Sequence, residues 1–386
     1  MGSIDSSEKQ LGNPQYREEI QEAVSATWQV DWTQFALVPA LRCVPGIAAP
    51  LLLGLEFHNM VAGVMASAGA LTVGFGSFYR FQWSRSAPML LSILGISFSA
   101  FISALSEHST LGFTIVACCW AYFCGLLQTL GKGIWWVSLQ CVIFALIASS
   151  FPVGFADIVT RTLMVFGGGL LQALLIMLFW RLERPLPDSF IGPLDVIPFS
   201  VGAVRESVRA FWTHLRANLS PRTPVGKTAL QLALTVALGA ALSRLLNLPN
   251  GYWVPMTAIL VMNTDWRQTV TRGLGRICGT LVGAGLATLL AATLRPDPFT
   301  LILLVVLFSF LCYLFLPVNY AVYAIFITAF VVFQLASIGL PTTALVPARI
   351  VNTALGGALA LLLQFVWPVS AQERRGTTSE GAVSSV

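Results

Sequence analysis

Charge is what this sequence has least of. Asp, Glu, Lys and Arg make up 10% of its 386 residues, against about 25% in an ordinary soluble domain. Such a chain lacks the side chains to clothe a surface in water. Histidine is nearly missing: His58, His108 and His214 have no spacing that would hold a metal. The seven cysteines (Cys43, Cys118, Cys119, Cys124, Cys141, Cys278 and Cys312) all lie in apolar runs without zinc spacing. They read as small packing residues, so no metal or other cofactor is expected. No glycine-rich phosphate loop follows a strand, and no nucleophile and base are paired. The loops are too small for a nucleotide-binding domain. Enzymatic activity, an ATP site and nucleic-acid binding are therefore not expected. Residues 1–31 are polar and acidic, without an apolar h-region or cleavage site, which argues against a cleavable signal peptide.

What is abundant is apolar. Hydrophobic residues reach 56% and the mean hydropathy is +0.77. The bilayer is then the solvent, and each helical span needs about 20 mostly apolar residues. The expected fold is all-α, a polytopic membrane protein. Twelve spans are predicted, at about 32–56, 59–80, 86–107, 109–131, 133–152, 157–181, 226–248, 251–264, 268–294, 298–317, 319–337 and 342–368. The span at 251–264 is short and contains Pro255. With both termini inside, 17 of the 22 Lys and Arg face inward, and Arg42, Arg161, Arg244, Arg295 and Arg349 are the other five. The bias selects an N-in, C-in orientation.

The flanking segments are also readable. In residues 1–31, Tyr16, Ile20, Val24 and Trp28 recur every four residues, as in an amphipathic helix on a cytoplasmic membrane surface. Residues 182–225 open with the proline-rich ERPLPDSFIGPLDVIP. Val201, Val204, Val208, Phe211, Trp212, Leu215 and Leu219 then share one helical face opposite Arg205, Arg209 and Arg216. This predicts a cytoplasmic linker with an interfacial helix. It separates a first six-helix repeat, 32–181, from a second, 226–368, and a polar, disordered cytoplasmic tail is expected over 369–386. The repeat rests on near-equal offsets of 187 to 189 residues: Ala40–Arg42 against Ala229–Gln231, Arg85 against Arg272, Arg161 and Gly168 against Arg349 and Gly356, and Trp180 against Trp367. Six spans per half give both halves one orientation, related by a pseudo-twofold axis along the membrane normal.

The candidate functional residues are mostly arginines. In RGLGRICGTLVG, Arg272 and Arg276 stand one turn apart, with Thr280 one turn further and Gly275, Gly279 and Gly283 on the adjacent stripe. The glycines let another helix approach closely. The arginines either snorkel to the inner surface or present guanidinium groups to a path, and Asp265 is a candidate latch or coupling group. Arg349 lies about eight residues into its span, roughly 12 Å deep, after Pro347 and beside Asn352 and Thr353. Arginine at mid-membrane depth costs about 2.5–3.5 kcal/mol even on the lenient scale, so an ion-pair partner or a wet cavity is expected. Arg161 is its repeat mate, with an (i, i+4) pair to Asp157 as the simple alternative. Arg42 is placed near the bilayer centre, and Gln231 replaces it in the second half. Glu56, Glu107 and Asp157 fall near outer span ends. A set of fixed cations binds anions and relays no protons, and guanidinium pairs with carboxylate in bidentate fashion. Trp135, Trp136 and Trp266 fit an interfacial belt, while Tyr252 and Trp253 border the proline-interrupted span.

GYWVPMTAILVMNTDWRQTVTRGLGRICGTLVG resembles the signature of the fusaric-acid-resistance-like family of bacterial aromatic acid exporters, through Tyr252, Trp253, Pro255, Thr257, Asp265, Arg272, Arg276, Gly279, Thr280 and Gly283. The close, ARIVNTALGGALALLLQFVWP, is similar to the family's last span through Arg349, Thr353, Gly356 and Pro368. RTLMVFGGGLLQALLIMLFW in the first half is a looser version. The R-G-L-G-R…G-T arrangement is also similar to plant aluminium-activated malate channels. The resemblance implies anion movement along an arginine-lined path. It also implies a periplasmic adaptor for larger members with extra cytoplasmic domains, whereas here there is only the 182–225 linker.

The leading expectation is export of aromatic or other organic carboxylates across a bacterial inner membrane, along a path between the repeats. Its named residues are Arg42, Arg161, Arg272, Arg276, Arg349, Thr280, Thr353, Asn352, Tyr252 and Trp253. The alternatives are a passive anion channel and a non-transporting scaffold subunit. The partners expected are the organic anion and the lipid bilayer, with a homo-oligomer or an adaptor as further options.

Overall fold

A chain dissolved in hydrocarbon must satisfy its own backbone, and a helix does so within one segment. The computed structural model describes residues 14–81, 84–106, 109–151, 153–182, 201–263 and 265–367. Apart from short 3-10 turns and one isolated bridge, Phe81 to Ser84, the ordered elements among them are α-helices. In chain order these are α1 (Pro14–Thr27), α2 (Leu37–Glu56), α3 (Met60–Gly76), α4 (Ala87–Leu105), α5 (Thr110–Leu127), α6 (Lys132–Ala148), α7 (Phe155–Leu182), α8 (Val201–Asn218), α9 (Pro224–Leu245), α10 (Trp253–Val261), α11 (Trp266–Leu294), α12 (Pro298–Phe315), α13 (Tyr320–Ala336) and α14 (Thr342–Val366). Eight of these helices are long and apolar enough to cross a membrane, and α3, α6 and α13 are shorter apolar helices of 17 residues each. The protein is an all-α, multi-pass membrane protein. The expected tail 369–386, the proline-rich opening of the linker, Glu107, His108 and Pro368 lie outside the described residues.

Hydrogen bonds show which helix ends lie together. Thr271 Oγ1 donates to the Ala23 carbonyl (3.1 Å), and Asp31 N donates to the Val318 carbonyl (3.3 Å). Gln231 Nε2 donates to the Trp367 carbonyl (3.0 Å), and the Trp266 ring meets Phe365 at 6.4 Å. Tyr122 Oη donates to the Leu219 carbonyl (2.6 Å), and His214 Nε2 lies 3.1 Å from the Leu126 carbonyl. These contacts gather α1, α8, the ends of α5, α12 and α14, and the starts of α9, α11 and α13 at one end of the bundle, called here the linker end. The loop from 246 to 252 lies at the other, the far end.

The two halves pack alike. In the first, α3 lies on α7, α4 on α6 and α7, α2 on α3, and α5 on α6. In the second, α10 lies on α14, α11 on α13 and α14, α9 on α10, and α12 on α13. The correspondence reaches single atoms. A Cβ on Gly168 would sit 1.9 Å from the Ala66 carbonyl oxygen, and one on Gly356 would sit 2.4 Å from that of Val254. Both cores mix the halves: α12 and α13 join α2, α3, α4 and α7 in one, while α5 and α6 join α9, α10 and α14 in the other.

Two local details differ from the sequence reading. The first span was expected to start near 32, but Trp32–Gln34 form a separate 3-10 turn capped by the Asp31 side chain. Trp32 and Phe35 pack edge-on against Phe315. Helix α2 thus begins at Leu37, and Arg42 stands in its second turn, much nearer the linker end than the expected bilayer centre. In α1 the face turned to the bundle is Ala23 and Thr27, at 2% and 3% exposure, while Val24 and Trp28 stay exposed. Small residues let α1 seat closely on α11 and leave its larger apolar side chains uncovered.

Candidate functional site

Helix α11 is built to carry charge inward. The Asp265 side chain caps it, accepting from Arg267 N at 3.3 Å, and Thr269 Oγ1 donates to the Asp265 carbonyl. The guanidinium of Arg267 turns outward to pair with Glu22 on α1. Arg272 follows in the second turn, half-buried beside Tyr79. Arg276 is 2% exposed, about 15 Å from the helix start at 1.5 Å per residue. The neighbouring stripe seats α13: a Cβ on Gly279 would meet the Ala321 carbonyl oxygen at 2.6 Å, and one on Gly283 that of Ile325 at 2.3 Å. That approach brings Tyr320 and Tyr323 to the arginine side, with Tyr323 in electrostatic reach of Arg276. Thr328 Oγ1 comes to 3.5 Å from Thr280 Oγ1.

Arg349 comes from the other direction, on α14. It is 1% exposed, and its guanidinium lies over the Trp253 ring, 4.7 Å from the centroid. Arg276 is within electrostatic reach of it. Two buried cations therefore face one region. Among the described residues, no group accepts from Nε or Nη1 of Arg349 or from Nε of Arg276. Thr257 Oγ1, Thr353 Oγ1, Asn352 Oδ1 and Tyr320 Oη are likewise buried without a hydrogen-bond partner. Among the residues whose side chains are described, no carboxylate is buried: Glu22, Asp31, Glu56, Asp157, Glu206 and Asp297 are exposed, and Asp265 is half-exposed. The pair is thus not offset by an interior acid among these residues, although buried charge normally is.

The backbone is irregular at the same place. α10 has nine residues, about 14 Å of helix, less than half the thickness of a hydrocarbon core. At Met262 the chain turns extended, and Asn263 N bonds to Thr269 Oγ1 at 3.0 Å. Broken helices of this kind occur in membranes where they line a cavity or a binding site. Asn352 Nδ2 ties α14 to the loop before α10, donating to the Pro249 carbonyl at 2.9 Å.

Of the residues singled out in the sequence, Arg276, Arg349, Thr280, Thr353, Asn352 and Trp253 fall in this central region, and Tyr252 stands at its far-end edge, 5.4 Å from Trp253 ring to ring. Arg272 stands at its linker-end mouth. Arg161 is at the far end, where Nη1 donates to the Phe151 carbonyl at 3.1 Å, and Arg42 is half-buried on α2 beside Cys43. The sequence reading did not single out Tyr320, Tyr323, Phe75 and Tyr79. Phase and scarcity are the signal: Tyr320 and Tyr323 share a helix face, in a chain with seven tyrosines. Their rings are 6.0 Å apart, Phe75 meets Tyr323 at 5.9 Å, and Tyr79 stacks on Trp136 at 5.2 Å. An aromatic wall contributed by both halves thus flanks the arginines. At the 187- and 188-residue offsets the first half has Met65, Gly69, Met89, Met164 and Val165 for Trp253, Thr257, Arg276, Asn352 and Thr353. The polar cluster belongs to the second half.

Residues 235–363, which contain this cluster, match the family model described as fusaric acid resistance protein-like. Over those residues the chain is similar to the fusaric acid resistance-like family. It is 26% identical over 187 residues to an uncharacterized protein of Neisseria gonorrhoeae, covering 48% of this chain and 44% of that one. It is 32% identical over 156 residues to an uncharacterized protein of Synechocystis, covering 40% and 20%. It is 27% identical over 158 residues to Inner membrane protein YccS of Escherichia coli, covering 41% and 22%. The match spans less than half the length of each of these relatives. No solved structure matches the chain. With eight described helices long and apolar enough to cross a membrane, the chain is a multi-pass membrane protein, and YccS, which it resembles in part, is named an inner membrane protein.

Proposed function

We propose that this protein exports small organic anions, aromatic carboxylates foremost, across the inner membrane, and that Arg276 and Arg349 are the point at which the anion is recognised. The observation that carries this reading is the buried arginine pair with unmatched donors and no interior acid beside it among the described residues. Buried donors of this kind require acceptors, and guanidinium takes a carboxylate in a forked pair. The aromatic wall of Trp253, Tyr323 and Phe75 suits a ring attached to that carboxylate.

In this reading α2–α7 and α9–α14 are twelve membrane helices in two parallel repeats, with both termini inside. The matching neighbours of the two halves and the paired contacts of Gly168 and Gly356 support the repeat. The linker end is cytoplasmic because α8 carries Arg205, Arg209 and Arg216 there, exposed. The anion enters past Arg272 and Tyr79, passes Arg276 and then Arg349, and leaves at the far end. An inside-negative potential favours that direction by about 2.3 kcal/mol per charge per 100 mV. The broken helix at α10 favours a carrier over an open channel, since such half-helices surround an occluded site in carriers.

Proteoliposomes test this. Efflux of benzoate from vesicles holding the purified full-length protein saturates and shows counterflow. Arg276→Ala and Arg349→Ala each slow it roughly 10- to 100-fold, the range for losing a hydrogen bond to a charged group. Unchanged efflux in both variants removes the pair from the path.

A further inference from the structure

The far end holds a second feature that the path above does not use: a cleft of about 440 Å³ at the seam of the two halves. Its walls are Phe113, Ser149 and Ser150 from the first half, and Arg244, Asn247 and Tyr252 from the second. The volume is within the usual range of small-molecule pockets, about 300–1,000 Å³. The guanidinium of Arg244 lies over the Phe113 ring, 4.3 Å from its centroid. A cation–π contact of this kind anchors the guanidinium on the ring face. At the offset that matches Arg42 to Gln231, the first half has Leu55 in place of Arg244, and Leu55 packs against its hydrophobic core. One half thus uses this helix end for packing and the other sets a fixed cation in a cleft.

The cleft is also joined to the buried pair. Tyr252 lies 5.4 Å from Trp253, ring to ring, and Trp253 carries Arg349 on its face at 4.7 Å. The cleft loop takes two left-handed turns, at Asn247 (φ 47°) and Asn250 (φ 51°), which asparagine tolerates better than most residues. Asn352, three residues beyond Arg349, holds that loop through the carbonyls of Pro249 and Asn250. Behind Tyr252, the Phe151 ring packs at 5.8 Å, and its carbonyl accepts from Arg161.

We infer that this cleft is a separate binding site for a small aromatic carboxylate, its anionic group on Arg244 and its ring against Tyr252, one aromatic layer outside the Arg349 site. It serves as the exit station of the export path, and this role rests on the transport reading above. The binding site itself does not depend on that role.

The test is equilibrium binding of radiolabelled benzoate to the full-length protein in nanodiscs, together with counterflow driven from the far side. The wild-type protein binds benzoate in two components. Arg244→Gln removes one, and Arg349→Gln removes the other. Arg244→Gln also raises the far-side half-saturation concentration by about tenfold, the effect of one lost charged contact, and leaves the linker-side value within about twofold. Ser150→Trp, which fills the cleft and keeps the Arg244 side chain, reproduces that far-side effect and guards against misfolding of the first variant. A single component insensitive to both Arg244→Gln and Ser150→Trp overturns the inference while leaving export intact. Two components without any flux overturn export and keep the site. No benzoate binding at all overturns both.

Discussion

Arg349 shows how far a single residue can be read. An arginine within an apolar run, after a proline and before Asn352, stands out because its insertion cost has to be met somewhere. The structure places it at 1% exposure over Trp253. Arg42 misled for a local reason: the Asp31-capped turn at Trp32–Gln34 delays the helix start, so counting from the apolar onset overstated its depth. Tyr320 and Tyr323 carried only the faint signal of a shared face, and it is the seating of α13 on the glycine stripe that sets them beside the arginine helix. Arg244 reads in sequence as a span-end charge. A fixed-charge site makes a sharp prediction about pH. Efflux of an arylsulfonate, itself charged throughout, stays flat from about pH 6 to pH 8, because guanidinium does not titrate there. A tenfold change across that window, measured with both sides at the same pH, would show that a titrating group takes part.

Helices were easier to read than their roles. All fourteen sit in the segments that hydropathy and periodicity marked, because a bilayer leaves few alternatives to a helix. What the pattern did not give is that α10 stops after nine residues or that α1 turns its small residues to the bundle. The first rests on the Thr269 side chain, six residues past Asn263, and the second on Thr271, 248 residues from its partner Ala23. Two outcomes follow. Gly279→Leu places a side chain into the Ala321 carbonyl and destabilises the α11–α13 contact by roughly 1–3 kcal/mol, the range for overpacking, seen as a lower midpoint in a detergent melt. Glu22→Gln breaks an exposed ion pair with Arg267 and shifts that midpoint little, consistent with at most about 1 kcal/mol.

At the scale of the molecule, two similar bundles interlock around shared cores, yet only one carries the polar cluster. The offsets of 187 to 189 residues and the matching neighbours of the two halves support the proposed repeat, while the one-sided placement of the polar cluster was not legible, since it depends on which matched positions are apolar. A reporter fused after Trp367 tests the proposed orientation, and a cytoplasmic-side signal is expected.

The one-sided placement of that cluster also governs how the protein tolerates change. Random substitution should leave two unequal scars. The first bundle accepts apolar exchanges at Met65, Met89 and Met164 so long as volume is kept, and it fails by not assembling. The second can fail in that manner and also in another, arriving intact in the membrane and doing nothing. Variants that reach full abundance yet give no efflux should therefore cluster after residue 240, and those that vanish from the membrane should be drawn from both bundles.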